Sequence, residues 1–426
     1  MATVTPAPAE AGSAGYLSVF RVREFRAVFA AHLMSVLGLV VAEISLTVLV
    51  YRATGSPLMS ALTFALGFLP YALGGTLLAG IADRYPARRV LVGCDLVCAA
   101  GAAAMAWPGT PVALLLVLRC VLAFVAPLFQ GTRNASLADI LGAGEAFVLG
   151  RSLLRMVAQS AQLVGFGLGG LLLTVLAPRG AVALTAAGFL GSALLLGLGT
   201  RARPARAGAP SPGSGPAPLG GLRAGLGAVL GGRRVRALTL LFWLPPVFVV
   251  VPEVLLAPYV DGLGAGTVAL GLLMCALPAA TIAGEVYAGS ALTARTRSRI
   301  VAPLAAVGLL PLLLFAVRPG VPGVLAALLL AGLAHAYTLG LDQWWVDAVP
   351  AELRGRAMTL LSTGMMTLQG VGMALGGLAA EFLPVHAVVT GAGVLGTVVV
   401  LVLLAELRAA GPGGGRPRGE TGLATK

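Results

Sequence analysis

The run FRAVFAAHLMSVLGLVVAEISLTVLVY, Phe25 to Tyr51, decides how the rest of the chain is read. It is apolar over a length that crosses a bilayer as a helix, which takes about 20 residues. Deep inside it sits a carboxylate, Glu43. A charge at that depth costs several kcal/mol unless it is protonated, paired or facing water. A second apolar run, Ala237 to Tyr259, encloses Glu253, 210 residues later, and Arg26 and Arg236 stand at the foot of the two runs with the same offset. The expectation is two matching helices, each holding a buried acid.

Composition bounds the class. Of the 426 residues, 58% are hydrophobic and 11% charged, against about 25% charged in soluble domains. The chain therefore reads as an all-α polytopic membrane protein. The formal charge of +13 raises the question of nucleic acid. The basic residues lie in short loops between apolar spans, so they read as orientation charge and no nucleic-acid partner is expected. Cys94, Cys98, Cys120 and Cys275 all fall inside apolar runs and read as small buried hydrophobes. With no histidine beside Cys94 and Cys98, no metal site is expected. The only lysine is Lys426, so there is no Walker A loop to hold ATP. No cofactor and no enzymatic activity are expected.

Twelve spans can be drawn, at roughly 26–50, 58–82, 90–107, 111–132, 150–176, 180–200, 237–260, 267–291, 299–317, 321–345, 356–380 and 384–406. Counted on alternate sides, 25 basic residues fall on one side and three (Arg52, Arg179, Arg318) on the other, with Arg119 inside a span. The positive-inside rule then predicts a multi-pass protein of the cell membrane with both termini cytoplasmic. Residues 1–20 read as a disordered tail without signal-peptide order. Residues 21–200 form one six-helix bundle and 236–408 another. The Pro-, Gly- and Arg-rich stretch 201–235 is a cytoplasmic linker, with a short surface helix predicted from Leu219. Residues 409–426 read as a second tail.

The halves repeat. Gln162, Gly165, Gly169 and Gly170 of span 5 recur as Gln369, Gly372, Gly376 and Gly377 of span 11, at an offset of 207. Leu69-Pro70 recurs as Leu277-Pro278 at an offset of 208. The glycines lie in apolar helices with no strand before them, which excludes a dinucleotide loop and leaves close helix packing. An even number of spans per half makes this a parallel repeat, the layout of two-bundle transporters with a site between the bundles.

The loop after span 2, Ala79-Gly80-Ile81-Ala82-Asp83-Arg84-Tyr85-Pro86-Ala87-Arg88-Arg89, resembles motif A of the major facilitator superfamily, G-x-L-A-D-R-x-G-R-R. Ala82, Asp83, Arg84 and Arg88 match, and Pro86 replaces the later glycine. The resemblance implies that Asp83, with Arg84, Arg88 and Arg89, clasps an inner gate. Leu118-Arg119-Cys120 resembles the motif B arginine associated with proton coupling. Phe25-Arg26, Ser35-x-x-Gly38 and Thr54-Gly55-Ser56 are similar to bacterial drug and siderophore exporters. In that group an Asp follows the span 1 glycine; here it is Leu39, and Glu43 lies one turn on. Gly169-Gly170 matches the end of the antiporter motif C, whose proline is absent.

Several polar groups inside the spans are candidates for work. Glu43 and Arg119 both lie slightly beyond their span centres, within reach of pairing. Burial favours the protonated carboxyl and a guanidinium favours the ionised one, an opposition that tunes a proton carrier. His32 and Glu43 are eleven residues apart, which places them within about 20° on one helix face, with Thr47 near the same stripe. Glu253 follows Pro245, Pro246 and Pro252, whose freed carbonyls suit a cavity wall. Glu285 in span 8 is a third buried acid, and His335 in span 10 a proton group or cavity donor. Asp95 and Asp342 read as gate or interface residues, and Trp344 and Trp345 as an interfacial belt.

The expectation is a monomeric, proton-coupled exporter of a hydrophobic or amphipathic small molecule, a drug, antibiotic or siderophore, with multidrug resistance as the outcome. Its partners are that molecule, protons and the lipid bilayer. A proton-coupled nutrient symporter is the alternative within the architecture; the near absence of asparagine argues against it. A membrane sensor or partner protein that moves no solute is the alternative outside it.

Overall fold

The turn that follows Tyr51 shows how the spans are punctuated. The first helix, α1 (Arg23–Thr54), ends because Gly55 takes a left-handed conformation at φ 65° and returns its N–H to the Tyr51 carbonyl, a conformation glycine adopts without the usual Cβ penalty. One residue later Ser56 caps the next helix, its hydroxyl accepting from the Met59 N–H, with Pro57 in the first turn. Proline suits that position because its missing N–H would be unpaired there in any case. Two membrane-length helices are thus joined by a two-residue reversal.

A computed structural model of the chain describes residues 19–78, 81, 84–142, 145–203, 231–349 and 354–410. Those residues form α1, α2 (Pro57–Leu77), α3 (Ala87–Ala106), α4 (Val112–Leu141), α5 (Glu145–Val175) and α6 (Pro178–Gly199) in the first half. The second half holds α7 (Arg233–Gly262), α8 (Thr267–Ala291), α9 (Ala294–Val307), α10 (Val321–Ala334), α11 (Tyr337–Ala348), α12 (Arg354–Phe382) and α13 (Val385–Ala410). Eleven helical segments are long and apolar enough to cross a membrane, counting α9 with its following turn and α10 with α11. The 29-residue α12 completes twelve helical passages. Asp83, most of both tails, linker residues 204–230 and with them most of the predicted surface helix lie outside the described residues.

Two passages are less regular than expected. Span 9 starts at Ala294, so Arg295, Arg297 and Arg299 lie on helix instead of loop, and it finishes as a 3-10 helix, Leu310–Val317. Span 10 is broken. The His335 N–H bonds to the Gly332 carbonyl at 3.0 Å and the Ala336 N–H to the Leu333 carbonyl at 3.2 Å, a three-residue tightening between α10 and α11. Such a step inside a helix often marks a hinge.

The start of α1, the end of α13 and both linker ends share one face. Arg203 pairs with Glu24 at 2.7 Å and Arg233 with Glu406 at 3.3 Å. On the opposite face, Arg179 clamps the α3–α4 turn through the Met105, Trp107 and Thr110 carbonyls.

The bundles meet along two seams, α2 against α12 and α5 against α8. On the opposite face the Ser56 hydroxyl and the Leu58 N–H both donate to Glu381 Oε1. Toward mid-span, Gly370 lies against Phe68 and Leu69, and the Cys275 thiol donates to the Leu163 carbonyl at 3.1 Å. The core that crosses between halves draws Val40, Ile44, Val48, Ala61, Phe64 and Phe166 from the first half, all from the opposite-face half of their helices. Toward the terminal face Leu73, Leu77, Met156, Val286 and Tyr287 stand exposed. Among the described residues, contacts close the seams from the opposite face to mid-span, and these exposed side chains lie toward the other end.

The repeated glycines build these seams. A Cβ on Gly165 would fall 2.8 Å from Val40, and one on Gly169 2.9 Å from Ile44, both on α1. In the second half the same positions meet α7: Gly372 meets Val247 at 2.6 Å and Gly376 meets Val251 at 3.2 Å. The glycine next along turns to the other bundle. Gly170 would meet Gly271 Cα at 2.7 Å, and Gly377 would meet Ala61 Cβ at 2.4 Å. Without a hydrophobic drive between helices in lipid, such close approach is what lets them pack.

These contacts correct two readings of the sequence. Val40 to Val247 and Ile44 to Val251 fix the repeat offset at 207 for α1 and α7 as well. Glu253 therefore corresponds to Leu46, not to Glu43, and the two acids sit about one turn apart in register. Trp345 is not a belt residue. It is 1% exposed and its indole donates to the Thr239 hydroxyl at 3.1 Å, because the short α11 packs it against α7. Trp344 is half-buried and donates to Ser298 at 2.6 Å.

Candidate functional site

Helices α1 and α4 run antiparallel, and two arginines on one face of α4 reach two residues on one face of α1. Arg119 Nη2 donates to Glu43 Oε1 at 2.7 Å, with the carboxylate side chain 14% and the guanidinium 6% exposed. Arg119 Nε also donates to the Thr63 carbonyl of α2 at 3.3 Å. Gly67, one turn along α2, leaves the space that the guanidinium fills; a Cβ there would fall 2.1 Å from Nη2. The predicted pairing partners are thus in contact, and breaking such a pair by removing one member costs about 3–5 kcal/mol. Thr47 does not join the polar stripe, since its hydroxyl donates to the Glu43 backbone carbonyl at 2.8 Å.

His32 shares the Glu43 face of α1 as the spacing predicts, but that face looks into its own bundle. Arg133 donates to His32 Nδ1, and Nε2 lies 3.2 Å from the Leu154 carbonyl. An arginine can only donate, so the imidazole proton sits on Nε2 and the ring is neutral. Asp95, expected at a gate or interface, is 2% exposed within the same bundle. It accepts from Ser35 at 3.3 Å and from Ser192 at 2.5 Å. His32, Asp95 and Arg133 line a cavity of about 670 Å³ enclosed by α1, α3, α4, α5 and α6.

A second cavity, of about 400 Å³, lies between the bundles. Glu253, Glu285 and His335 all line it, so three of the predicted residues come together there. Gln162 and Gln369, the repeated pair, face it from the two halves, and Pro246 and Pro278 mark its proline-interrupted walls. Met365, Met366 and Met373 from α12 line it as well. Methionine's flexible thioether suits cargo of variable shape. Glu285 accepts from the Thr338 hydroxyl at 3.4 Å, and His335 stands at the break in span 10, its ring 5.7 Å from that of Tyr337. Glu253 also borders a small pocket with Ile44 and Thr47 of α1. It is near enough to Glu43 for their charges to interact. The ion pair in the first bundle and the cleft between bundles are therefore electrostatically joined.

Of the motif A residues, Arg84 and Arg89 are exposed and Arg88 half-buried on the terminal face. Asp342 is exposed too. Sequence reasoning missed the Asp95–Ser35–Ser192 cluster, Arg133 and the methionines. Only Gln162 and Gln369 carried a usable signal, their matched spacing. Among the described residues no group of three or more His, Cys, Asp or Glu is placed to hold a metal ion.

Residues 28–343 match the family model described as Major Facilitator Superfamily. Among solved structures, the nucleoside transporter NupG aligns with a TM-score of 0.67 at 13% identity, covering 90% of this chain and 99% of that one. A proton dependent oligopeptide transporter aligns at 0.65 and 12% identity, covering 91% and 98%. The human organic anion transporter MFSD10 aligns at 0.60 and 18% identity, covering 90% and 99%. At these identities the likeness is one of fold. A comparison with curated protein sequences found no match.

Proposed function

The chain belongs to the Major Facilitator Superfamily, and from that premise we propose a proton-coupled exporter of hydrophobic or amphipathic small molecules, acting by alternating access. The fold and family are those of multi-pass membrane transporters; cargo, direction and coupling are our reading. The observation that carries it is the joining of the buried Glu43–Arg119 pair to Glu253 at the cleft.

The Arg119 guanidinium contacts Glu43 and not Glu253, whose charged neighbour is Glu43 itself, so Glu253 is left uncompensated in apolar surroundings, where an unpaired charge is costly. A proton taken up there neutralises it, and its release restores the charge. Because Glu43 belongs to one bundle and Glu253 to the other, that change alters the repulsion between the two carboxylates across the cleft and thereby the balance between its open and closed forms. With the termini in the cytoplasm, as the basic residues predict, the closed end of the seams faces outside and the cleft opens inward. Cargo enters between Glu253, Glu285 and the methionines. The Glu253 carboxylate in an apolar chamber favours a cationic amphiphile, and its charge makes proton and cargo compete for binding. The membrane potential contributes about 2.3 kcal/mol per net charge moved per 100 mV, so exchange of one proton for one monovalent cation is driven by the pH gradient alone. The solved peptide carriers named proton dependent lend support to coupling of this kind.

The test is transport of a fluorescent amphipathic cation by the reconstituted full chain in vesicles with an imposed pH gradient. Glu43→Gln is expected to abolish gradient-driven accumulation while leaving downhill exchange of the cation. Gradient-driven transport that survives the substitution unchanged rules the proton role out.

A further inference from the structure

We propose that the cavity inside the first bundle is a second ligand site, one that binds a single-chain amphiphile through an anionic head at Arg133. It lies apart from the cleft between the bundles, shares no lining residue with it, and does not depend on the transport mechanism above. Its volume of about 670 Å³ falls in the range of pockets that enclose small organic ligands.

Arg133 is 8% exposed. One amino group donates to His32 Nδ1, and the guanidinium stands over the Phe129 ring at 5.4 Å. Its Nε is buried and has no hydrogen-bond partner. Among the described residues no carboxylate lies within ion-pair distance of it. Asp95 is the acid that lines the same cavity, and both its oxygens are already engaged by Ser35 and Ser192. The imidazole of His32 is neutral in the tautomer that these contacts require. Arg133 is therefore a buried cation with an unsatisfied Nε and no counter-charge in contact, Asp95 attracting it from beyond ion-pair distance. Buried charges are ordinarily paired, because an isolated one is expensive. A carboxylate or phosphate supplied from outside completes it, and a guanidinium is well shaped to take either.

The rest of the wall defines the remainder of the ligand. Val36, Leu39, Val125, Phe129 and Phe189 present apolar surface beside the polar Ser35, Gln130 and Asn134; a small inorganic anion would leave that apolar part unfilled, and an acyl chain covers it. The head chemistry is shared by a free fatty acid and by an anionic membrane lipid, so the experiment separates the two sources.

Binding of radiolabelled dodecanoate to the full-length protein is measured in nanodiscs of phosphatidylcholine. Arg133→Gln is expected to weaken binding at least tenfold. Ala126→Phe, which fills the cavity and keeps the arginine, is expected to do the same, while Glu253→Gln in the cleft leaves binding unchanged. Dodecanol should compete poorly and dodecyl phosphate well. In nanodiscs of phosphatidylglycerol, dodecanoate affinity that falls identifies a bilayer lipid as the natural source; affinity that holds identifies a free amphiphile. Equal binding by wild type and Arg133→Gln overturns the proposal. So does dodecanol competing as well as the anions, or binding lost in Glu253→Gln and kept in the other two.

Discussion

Replacing Gly67 with alanine perturbs the buried ion pair without touching either charge. The added Cβ would stand 2.1 Å from Arg119 Nη2 and 2.9 Å from Cζ. The guanidinium must retreat by about 1.3 Å to reach an ordinary contact of 3.4 Å. A retreat of that size can carry the 2.7 Å bond to Glu43 beyond hydrogen-bonding range. Hydrogen bonds to charged groups contribute about 1.5–3 kcal/mol. Alanine in a helix interior returns about 0.5–1 kcal/mol relative to glycine, so the net effect is a loss on the order of 1–2 kcal/mol. Thermal unfolding of the detergent-solubilised protein reads the loss, and vesicle transport under a pH gradient reads the coupling; both should fall. In a Glu43→Gln background the stability cost should shrink, because the charge pair has already gone. A Gly67→Ala protein that melts and couples like wild type would refute the view that a pinned guanidinium matters.

Three further outcomes follow from the seams and the core. Glu381→Gln weakens the hydrogen bonds that join Ser56 and Leu58 to the second bundle. With Cys94, Cys98 and Cys120 replaced, a membrane-impermeant maleimide added from that face should label Cys275 several-fold faster. Gly170→Val drives a side chain into the Gly271 backbone and prevents closure on that face, so transport in vesicles should drop at least tenfold while expression persists. Trp345→Phe removes the bond to Thr239 and should lower stability by about 1 kcal/mol in the same melting assay, with little effect on transport.

Most of the architecture was legible because lipid imposes a blunt rule: apolar runs of sufficient length must be helices. The repeat was legible too, since glycines at matched spacing have few uses inside a membrane helix. What escaped depended on direction around a helix. His32 and Glu43 were correctly placed on one face of α1, but nothing in their spacing says that α4 and not the cleft lies before that face. Trp345 looked interfacial by position, and only the short α11 that breaks span 10 turns it inward. Arg133 was counted as loop charge because α4 extends to Leu141, beyond the predicted end of its span. Glu253 invited comparison with Glu43 through two matching arginines, whereas the glycine contacts set a different register. Asp83, on which the motif A resemblance leans, lies outside the described residues.

Gly169 and Gly170 are neighbours, as are Gly376 and Gly377, and neighbours on a helix point about 100° apart. Each of these helices therefore cements its own bundle with one flank and offers the adjoining flank to the moving partner. Bulk on the first flank strains the home bundle, and bulk on the second strains only the meeting with the partner. Along α5 and α12 a shift of one residue therefore separates faults of assembly from faults of motion.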